Sequence, residues 1–395
     1  MRILYNIGIH IYILSIYIYS IFDTKANLLV KGQKHIFYNL LNKIKKENNL
    51  VWFHCSSLGE FEQAQPVIKT YKIKYPKDKI LLTFFSSSGL EEKKNCNLAD
   101  WVSYLPFDTE YNAEKFIQIT NPKKVFLIKN EFWFNYMKTI KQRNIALYSI
   151  ASTFREEQIF FKYNWCSKQL KNISHFFVQD IKSKNLLEKI GINSVTVIHD
   201  PRFDTVIENS KSKKNYLLIQ EFCSRRDTII FGSIHKEDEK ILLEYINTHP
   251  EYNYIIVPHE IKYSDNIKEK TKGVLFTSIK NKNIHNNILI INKTGMLKSI
   301  YQYVNIAYIG GGFKKGVHNI LEAIVYGVPV IFGPNYHKSL EAQELININL
   351  AKSILNIEEM NRAVISLKNT KTGIANKYIN NRSGGSKEII NCEFI

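Results

Sequence analysis

The stretch I-G-G-G-F-K-K-G-V-H-N-I-L-E-A-I-V-Y-G-V-P-V-I, residues 309–331, carries the strongest fold signal in the chain. An apolar run leads into three glycines, then into a helix-compatible segment, and a second apolar run follows at 328–332. A strand, a glycine loop and a helix in this order are typical of parallel α/β sheets. N–H groups at such a helix start, together with the helix dipole, favour an anion such as a phosphate.

This segment therefore predicts a nucleotide site. Gly310, Gly311 and Gly312 are candidate phosphate contacts, and Glu322 is placed to accept hydrogen bonds from ribose hydroxyls. The alternative is local: Asn319 caps the helix, and Glu322 occupies the third helical position of a capping box.

The same alternation of apolar runs and polar stretches extends over the chain from residue 50. It predicts two doubly wound parallel sheets, each covered by helices, that face a central cleft. The polar stretch 208–215 is the best linker, between an N-terminal domain at 31–207 and a C-terminal domain at 216–395. The candidate strands are 50–54, 79–84, 124–128, 144–150, 175–179, 195–198, 228–232, 252–257, 287–291, 304–309 and 328–332.

Composition excludes several classes of protein. The 395 residues include 45% hydrophobic and 23% charged residues, which argues against global disorder. The five cysteines form no C-x-x-C, and neither H-E-x-x-H nor a Walker-type motif occurs, so disulfide scaffolds, thiolate zinc sites, zincins and P-loop enzymes are excluded. The formal charge of +18 comes from lysines spread along the whole chain. That spread favours attraction to anionic lipid or a phosphorylated substrate over a nucleic-acid partner.

Residues 3–22 contain no charged side chain and would span about 30 Å as a helix. We interpret residues 1–30 as a membrane anchor with its lead-in. A buried helix is one alternative, and a secretory signal is a weaker one because no small-x-small cleavage site follows. Lys25, Lys31 and Lys34 come next, so the positive-inside rule predicts that the remainder stays on the cytoplasmic face.

Two glutamates follow predicted strands, at the edge where doubly wound folds carry their sites. Glu60 closes the segment H-C-S-S-L-G-E at 54–60, where it is either a catalytic base or part of a capping box with Ser57. Glu131 is either a site residue or an acid stabilised by a helix dipole. Cys55 is interpreted as a core residue.

Arg202 lies in H-D-P-R-F-D at 199–204, behind a proline turn. Its planar guanidinium suits a phosphate or a carboxylate ligand. Pairing with Asp200 or Asp204 is the simpler alternative.

Taken in order, the motifs resemble the 3-deoxy-D-manno-octulosonate (Kdo) transferases of lipopolysaccharide assembly, which have the two-domain GT-B glycosyltransferase architecture. The resemblance spans essentially the whole chain, including the apolar N-terminus. It rests on H-C-S-S-L-G-E (54–60), T-F-F-S-S-S-G (83–89), N-E-F-W (130–133), D-P-R-F-D (200–204), G-S-I-H (232–235), V-P-H (257–259), K-T-G-M-L (293–297) and G-G-G-F with H-N-I-L-E (310–322).

The resemblance implies a role for each segment. Glu60 matches the general base, and Glu131 and Arg202 match positions assigned to transition-state stabilisation. Three positions depart from the family pattern: Arg202 stands where Lys is common, His259 where Arg is common, and His199-Asp200 where small residues are usual. The segments that match contacts to CMP contain Pro258, His259, Thr294, Gly295, Met296 and Asn319 to Glu322.

The implied activity is inverting transfer of Kdo from CMP-Kdo to a hydroxyl of a lipid A precursor at the inner membrane. Glu60 would take the acceptor's proton, and we expect the helix N-terminus to lower its pKa. The chain contains no D-x-D cluster, so neither a metal nor a cofactor is predicted. A GT-B enzyme that uses a UDP-sugar is the enzymatic alternative, and a basic membrane-anchored nucleic-acid binder is the non-enzymatic one.

Overall fold

The computed structural model describes residues 1–44, 49–279, 284, 286–368, 370 and 372–393. The chain divides into two compact units, one formed by Met1–Thr205 with the segment from Gly384, the other by Val206–Ser383. Each unit is built on a seven-stranded sheet in which neighbouring strands run parallel. This confirms the prediction of two parallel α/β domains.

The first sheet has the strand order β3-β2-β1-β4-β5-β6-β7. Apolar clusters cover both of its faces, and strands β1 and β2 are almost entirely buried, as expected for the centre of a parallel sheet. Its strands are β1 (Leu50–Cys55), β2 (Lys79–Phe84), β3 (Trp101–Tyr104), β4 (Lys124–Ile128), β5 (Ala146–Ser152), β6 (His175–Val178) and β7 (Val195–Val197).

The second sheet has the strand order β10-β11-β9-β8-β12-β13-β14. Strands β8, β9 and β12 form its buried centre. Its strands are β8 (Thr228–Ile234), β9 (Asn253–Pro258), β10 (Val274–Leu275), β11 (Ile288–Ile290), β12 (Ile306–Ile309), β13 (Val330–Phe332) and β14 (Ala351–Ser353).

Helices occupy most of the connections between strands. The first unit holds α1 (Arg2–Tyr19), α2 (Thr24–Lys34), α3 (Ile36–Lys43), α4 (Leu58–Lys74), α5 (Ser87–Lys93), α6 (Glu110–Thr120), α7 (Phe134–Gln142), α8 (Ile159–Lys162), α9 (Asn164–Leu170), α10 (Ile181–Lys189) and the start of α11 (Arg202–Lys211). The second holds the rest of α11 with α12 (Leu217–Ser224), α13 (Glu239–Thr248), α14 (Ser264–Thr271), α15 (Leu297–Ile300), α16 (Leu321–Ile324), α17 (Leu340–Asn347), α18 (Ile357–Leu367) and α19 (Thr372–Asn380). Helix α20 (Gly385–Asn391) belongs to the first unit.

The prediction placed domains at 31–207 and 216–395 and a linker at 208–215. The observed division differs from this prediction in two ways. The division falls after Thr205, and α11 runs through it to Lys211. The C-terminal segment returns to the first unit, where Asp204 accepts hydrogen bonds from the backbone N–H groups of Gly384 (2.6 Å) and Ser386 (2.9 Å). These contacts join residues about 180 positions apart, so no local sequence pattern signals them.

Helix α1 packs on the first unit through one face only. Tyr5, Ile9, Ile13 and Ile16 recur at helical spacing and face the core, and the Tyr5 hydroxyl donates to Asp108 Oδ2 at 2.5 Å. In the described part of the chain, no helix by itself has both the length and the apolarity to cross a bilayer; α1 and α2 meet that test only together, as a pair bent by 120°. The membrane-anchor helix expected within 1–30 is therefore not confirmed.

Candidate active site

Glu60 and Glu131 meet at the carboxyl edge of the first sheet. Glu60 lies in the first turn of α4, directly after β1, and Glu131 lies three residues after β4. Strands β1 and β4 are parallel neighbours, so the segments that follow them emerge side by side. Burial, and second the negative charge of Glu60, raise the pKa of Glu131 to about 7. The two carboxyl groups thus lie within electrostatic reach of each other.

Glu60 takes part in a capping box at the start of α4, as the structural alternative predicted. The backbone N–H of Ser57 donates to Glu60 Oε2 at 2.8 Å. Burial nevertheless raises the pKa of Glu60, because it outweighs the hydrogen bonds from Ser57 and the charge of Lys129. The expectation that the helix N-terminus would lower this pKa is wrong. A capped glutamate with a raised pKa is still a candidate base, and a stronger one.

His54 is a site residue that the sequence reasoning missed. Its ring is fully buried, and burial lowers its pKa to about 3. Nδ1 lies 2.9 Å from Thr83 Oγ1, which also accepts a 2.7 Å hydrogen bond from the Trp52 indole. The other ring nitrogen, Nε2, lies 3.9 Å from Glu131 Oε2.

The neutral His54 ring therefore lies beside Glu131 but makes no hydrogen bond with it, because 3.9 Å is too long. Within the described residues, Nε2 has no hydrogen-bond partner. Its position in the quoted motif 54–60 was the only available signal. The neighbouring Cys55 is fully buried and its pKa is raised well above the usual value, mainly by burial, which confirms the core interpretation.

Arg202 is paired with Asp200, as the simpler alternative predicted. Its Nε and Nη2 donate to Asp200 Oδ2 at 3.0 and 2.8 Å, and Gln63 and Gln179 donate to the same oxygen. Burial would raise the pKa of Asp200, but the guanidinium and these hydrogen bonds outweigh it and hold the pKa below its usual value. Burial raises the pKa of Glu62 in α4, and the charge of Arg202 opposes this rise. The Arg202–Asp200 pair therefore lies beside this helix.

In the second unit the glycine run is buried, and backbone packing explains why these positions are glycines. A Cβ on Gly310 would lie 2.4 Å from the carbonyl oxygen of Ser233, and one on Gly312 would lie 2.5 Å from the backbone nitrogen of Gly333. Gly311 has φ +90°, and its N–H donates to Asp238 Oδ2 at 3.2 Å. One of the N–H groups expected to contact a phosphate therefore already has a carboxylate partner.

The remaining predicted nucleotide contacts differ in accessibility. His259, Thr294 and Gly295 are exposed, whereas Pro258 is buried at the end of β9. The Met296 side chain is 2% exposed and packs in the interior, so a ligand contact there would have to use the backbone.

Helix α16 contains only four residues, a single turn. Asn319 lies just before this turn and Glu322 lies within it. Asn319 Oδ1 accepts the N–H of Leu321 at 3.2 Å, but the residue at the N-cap position is Ile320. The predicted capping box of Asn319 with Glu322 is therefore wrong. Glu322 stays partly exposed in the first turn.

The two parallel-sheet units carry polar groups at the carboxyl edges of their central strands, and the fold is GT-B-like. Solved structures share this fold over 87% of the chain. UDP-N-acetylglucosamine 2-epimerases from Listeria monocytogenes (TM-score 0.58, 13% identity, 95% of that chain) and Neisseria meningitidis (0.57, 16%, 98%) are two of them. A glycosyltransferase from Rickettsia africae has a TM-score of 0.56 at 13% identity, over 98% of its chain.

Sequence relatives of the chain include Kdo transferases. Residues 32–205 match the family model described as 3-Deoxy-D-manno-octulosonic-acid transferase (kdotransferase). Transferases of that name from Aquifex aeolicus (27% identical, 77% of this chain, 81% of the relative) and Rickettsia prowazekii (26%, 85%, 73%) align over most of the chain. The chain is therefore similar to Kdo transferases over residues 32–205 by the family model and over most of its length by these relatives, which confirms the resemblance in the motifs.

Proposed function

We propose that this protein transfers Kdo from CMP-Kdo to a hydroxyl group of a lipid A precursor, with inversion, and that Glu60 is the general base. One observation carries the proposal: Glu60 and Glu131 share a partly buried site at one sheet edge, and the pKa of each is raised. An alcohol must lose its proton as the new bond forms. A carboxylate whose pKa is raised accepts that proton more readily, provided that it is ionised.

In the proposed step the acceptor oxygen attacks the anomeric carbon of Kdo while its proton moves to Glu60. The bond from that carbon to the phosphate oxygen breaks, and CMP leaves as a stable phosphate monoester. Unlike a glycosidase, the enzyme needs no second carboxylic acid to protonate the leaving group. Proton removal by Glu60 needs no divalent cation. Glu131 and Arg202 are the proposed electrostatic partners of the transition state.

The donor is proposed to bind the second unit. Its contacts would come from Pro258, His259 and the segments 294–296 and 319–322, beside the glycines at 310–312. The exposure of His259, Thr294 and Gly295 supports this assignment.

The acceptor is proposed to be reached from the cytoplasmic surface of the inner membrane. The outer face of α1 exposes large apolar side chains, among them Ile7 (51%) and Ile11 (60%). On the same helix the Tyr12 ring is close enough to Glu131 for the carboxylate charge to raise its pKa, although burial is the larger cause. A membrane-bound α1 would therefore hold the carboxylates near lipid headgroups.

Glu60→Gln tests the mechanism without removing the cap, because glutamine also serves at the third position of a capping box. We expect the rate of Kdo transfer to fall by about 10²- to 10⁴-fold without a fall in the thermal midpoint. Transfer is measured by mass spectrometry of the products formed from CMP-Kdo and a lipid A precursor, with a UDP-sugar as the donor control.

Glu358→Gln is the matched control, since Glu358 is also an acid in the first turn of a helix, in α18. It should leave transfer unchanged. A fully active Glu60→Gln enzyme would refute the role of Glu60, and transfer from the UDP-sugar alone would refute the donor assignment.

A further inference from the structure

Three histidines meet at the carboxyl edge of the second sheet. His235 directly follows β8, and His259 directly follows β9. His318 lies on the glycine loop that follows β12, where its N–H donates to the carbonyl of Gly310 at 3.2 Å. Strand β8 lies between β9 and β12, so three adjacent parallel strands deliver one imidazole each to the same edge.

The three rings are close enough to share one ligand. One ring nitrogen from each of His235, His259 and His318 lies within 4.8 Å of the other two. The Nε2 atoms of His235 and His318 are 2.7 Å apart, and the ring centroids are separated by 4.5 to 5.0 Å. None of these histidines belongs to the carboxylate site of the first unit.

We propose that His235, His259 and His318 form a binding site for a divalent transition-metal ion of the Zn²⁺ class. Imidazole nitrogen is a preferred ligand of Zn²⁺, and three histidines make a well-known ligand set that leaves the fourth tetrahedral position open. Neither Asp238 nor Glu237 is needed as a ligand. The Asp238 carboxylate instead accepts the backbone N–H of His235 at 2.8 Å and anchors that segment.

Small side-chain movements would complete the site. Nitrogens bound to one tetrahedral Zn²⁺ at 2.0–2.1 Å are about 3.3 Å apart, so the His235–His318 pair must open slightly. The ring planes now lie 14° to 34° apart, and the rings must rotate to point their lone pairs at one centre. His259 is exposed and has room to turn. The proton that lies between the two Nε2 atoms must move to Nδ1 of the same ring, so that each Nε2 can offer its lone pair to the metal.

His259 is also one of the residues proposed above to contact the donor. A cation bound to it would supply positive charge there and accept a phosphate oxygen in the open position. This part of the inference rests on the proposed function. The metal site itself does not, because it can be measured without any nucleotide.

The experiment measures Zn²⁺ on the full chain by dialysis and elemental analysis, with titration calorimetry for affinity. We expect about one Zn²⁺ per chain for the wild type. His259→Ala removes an exposed ligand and should weaken binding by at least about 100-fold. His337→Ala removes an exposed histidine outside the cluster and should leave binding unchanged. Circular dichroism checks that both variants are folded.

Co²⁺ is the second probe, because tetrahedral Co²⁺ absorbs visible light much more strongly than octahedral Co²⁺. Strong absorption that disappears in His259→Ala supports the site. The proposal is overturned if the wild type retains no Zn²⁺, or if His259→Ala and His337→Ala retain it equally.

A nucleotide arm tests the link to the donor. His259→Arg should bind CMP in the presence of a chelator, whereas the wild type should bind CMP at least about tenfold more tightly with Zn²⁺ than without it. Equal affinity of the wild type in both conditions would refute the link. Absence of CMP binding by either protein would count against the proposed donor, and the Zn²⁺ stoichiometry would still decide the metal site.

Discussion

At the scale of single residues, Glu60 and Glu131 show two opposing influences on a carboxyl group. A helix N-terminus and its N–H donors stabilise the ionised form, whereas burial destabilises it. Both glutamates follow buried strands, and burial outweighs the other causes for each. The result is a pair of acids that both hold a proton more tightly than an ordinary carboxyl group, and the pKa of Glu131 is raised to about 7.

Glu131 should make stability depend on pH. Its folded-state pKa of about 7 lies above the ordinary value of 4.5, so the folded protein holds the proton more tightly than the unfolded chain. The stabilisation is complete below pH 4.5 and is lost as pH rises through 7. We expect Glu131→Gln, which stays neutral, to raise the thermal midpoint by a few degrees more at pH 8 than at pH 5. Circular dichroism melts measure both midpoints.

Glu110→Gln provides a control of opposite sign. A hydrogen bond from Asn6 is the first cause that lowers the pKa of Glu110, so its contribution to stability is present at neutral pH and fades in acid. An equal effect of Glu131→Gln at pH 5 and pH 8 would contradict the raised pKa.

At the scale of elements, strand prediction succeeded in the middle of each sheet and failed at three of the four edge strands, β7 being the exception. Strands β1, β2 and β4 were predicted to within a residue, because a central parallel strand is apolar on both faces. Strands β3, β10 and β14 were missed. Each of them is an edge strand with mostly half-exposed residues, so no continuous apolar run marks it.

The prediction at this scale concerns membrane binding by helix α1. Replacing both Ile7 and Ile11 by Asp places charge on its exposed apolar face without touching the residues that dock it. We expect flotation with anionic phospholipid vesicles to fall at least about tenfold, because burial of a single isoleucine is worth about 1.5–3 kcal/mol.

The matched control replaces two exposed isoleucines outside α1, Ile73 (83% exposed) and Ile365 (73%), by Asp. It changes charge and hydrophobicity equally and should leave flotation unchanged. Equal loss in the two double variants would show that general charge, not α1, sets membrane binding.

At the scale of the whole molecule, the chain leaves its first unit at Thr205 and returns to it at Gly384. Helix α20 contributes Ile389 and Ile390, both fully buried, to the core beside α4. Lys74 of α4 donates to the carbonyl of Ile390 at 2.6 Å. Helix α20 is therefore part of the fold of the first unit.

Ile390→Ala should destabilise the first unit by about 2–5 kcal/mol, the usual cost of truncating a buried isoleucine. All four tryptophans, at positions 52, 101, 133 and 165, lie in that unit, so tryptophan fluorescence reports its unfolding. We expect a lower urea midpoint by fluorescence. Ile331→Ala, in the core of the second unit, should shift that midpoint less. Equal shifts would contradict the assignment of α20.

The sequence by itself determined the class of fold, the buried centre of each sheet and the similarity to Kdo transferases, because those depend on apolar runs and ordered motifs that can be read locally. It also named Glu60, Glu131 and Arg202. Tertiary structure alone decided that burial raises the pKa of Glu60, that α20 joins the first unit and that three histidines converge. Each of these depends on groups that are far apart in sequence. Parallel strands, or the return of the C-terminal segment to the first unit, bring them together, and no local sequence pattern signals such contacts.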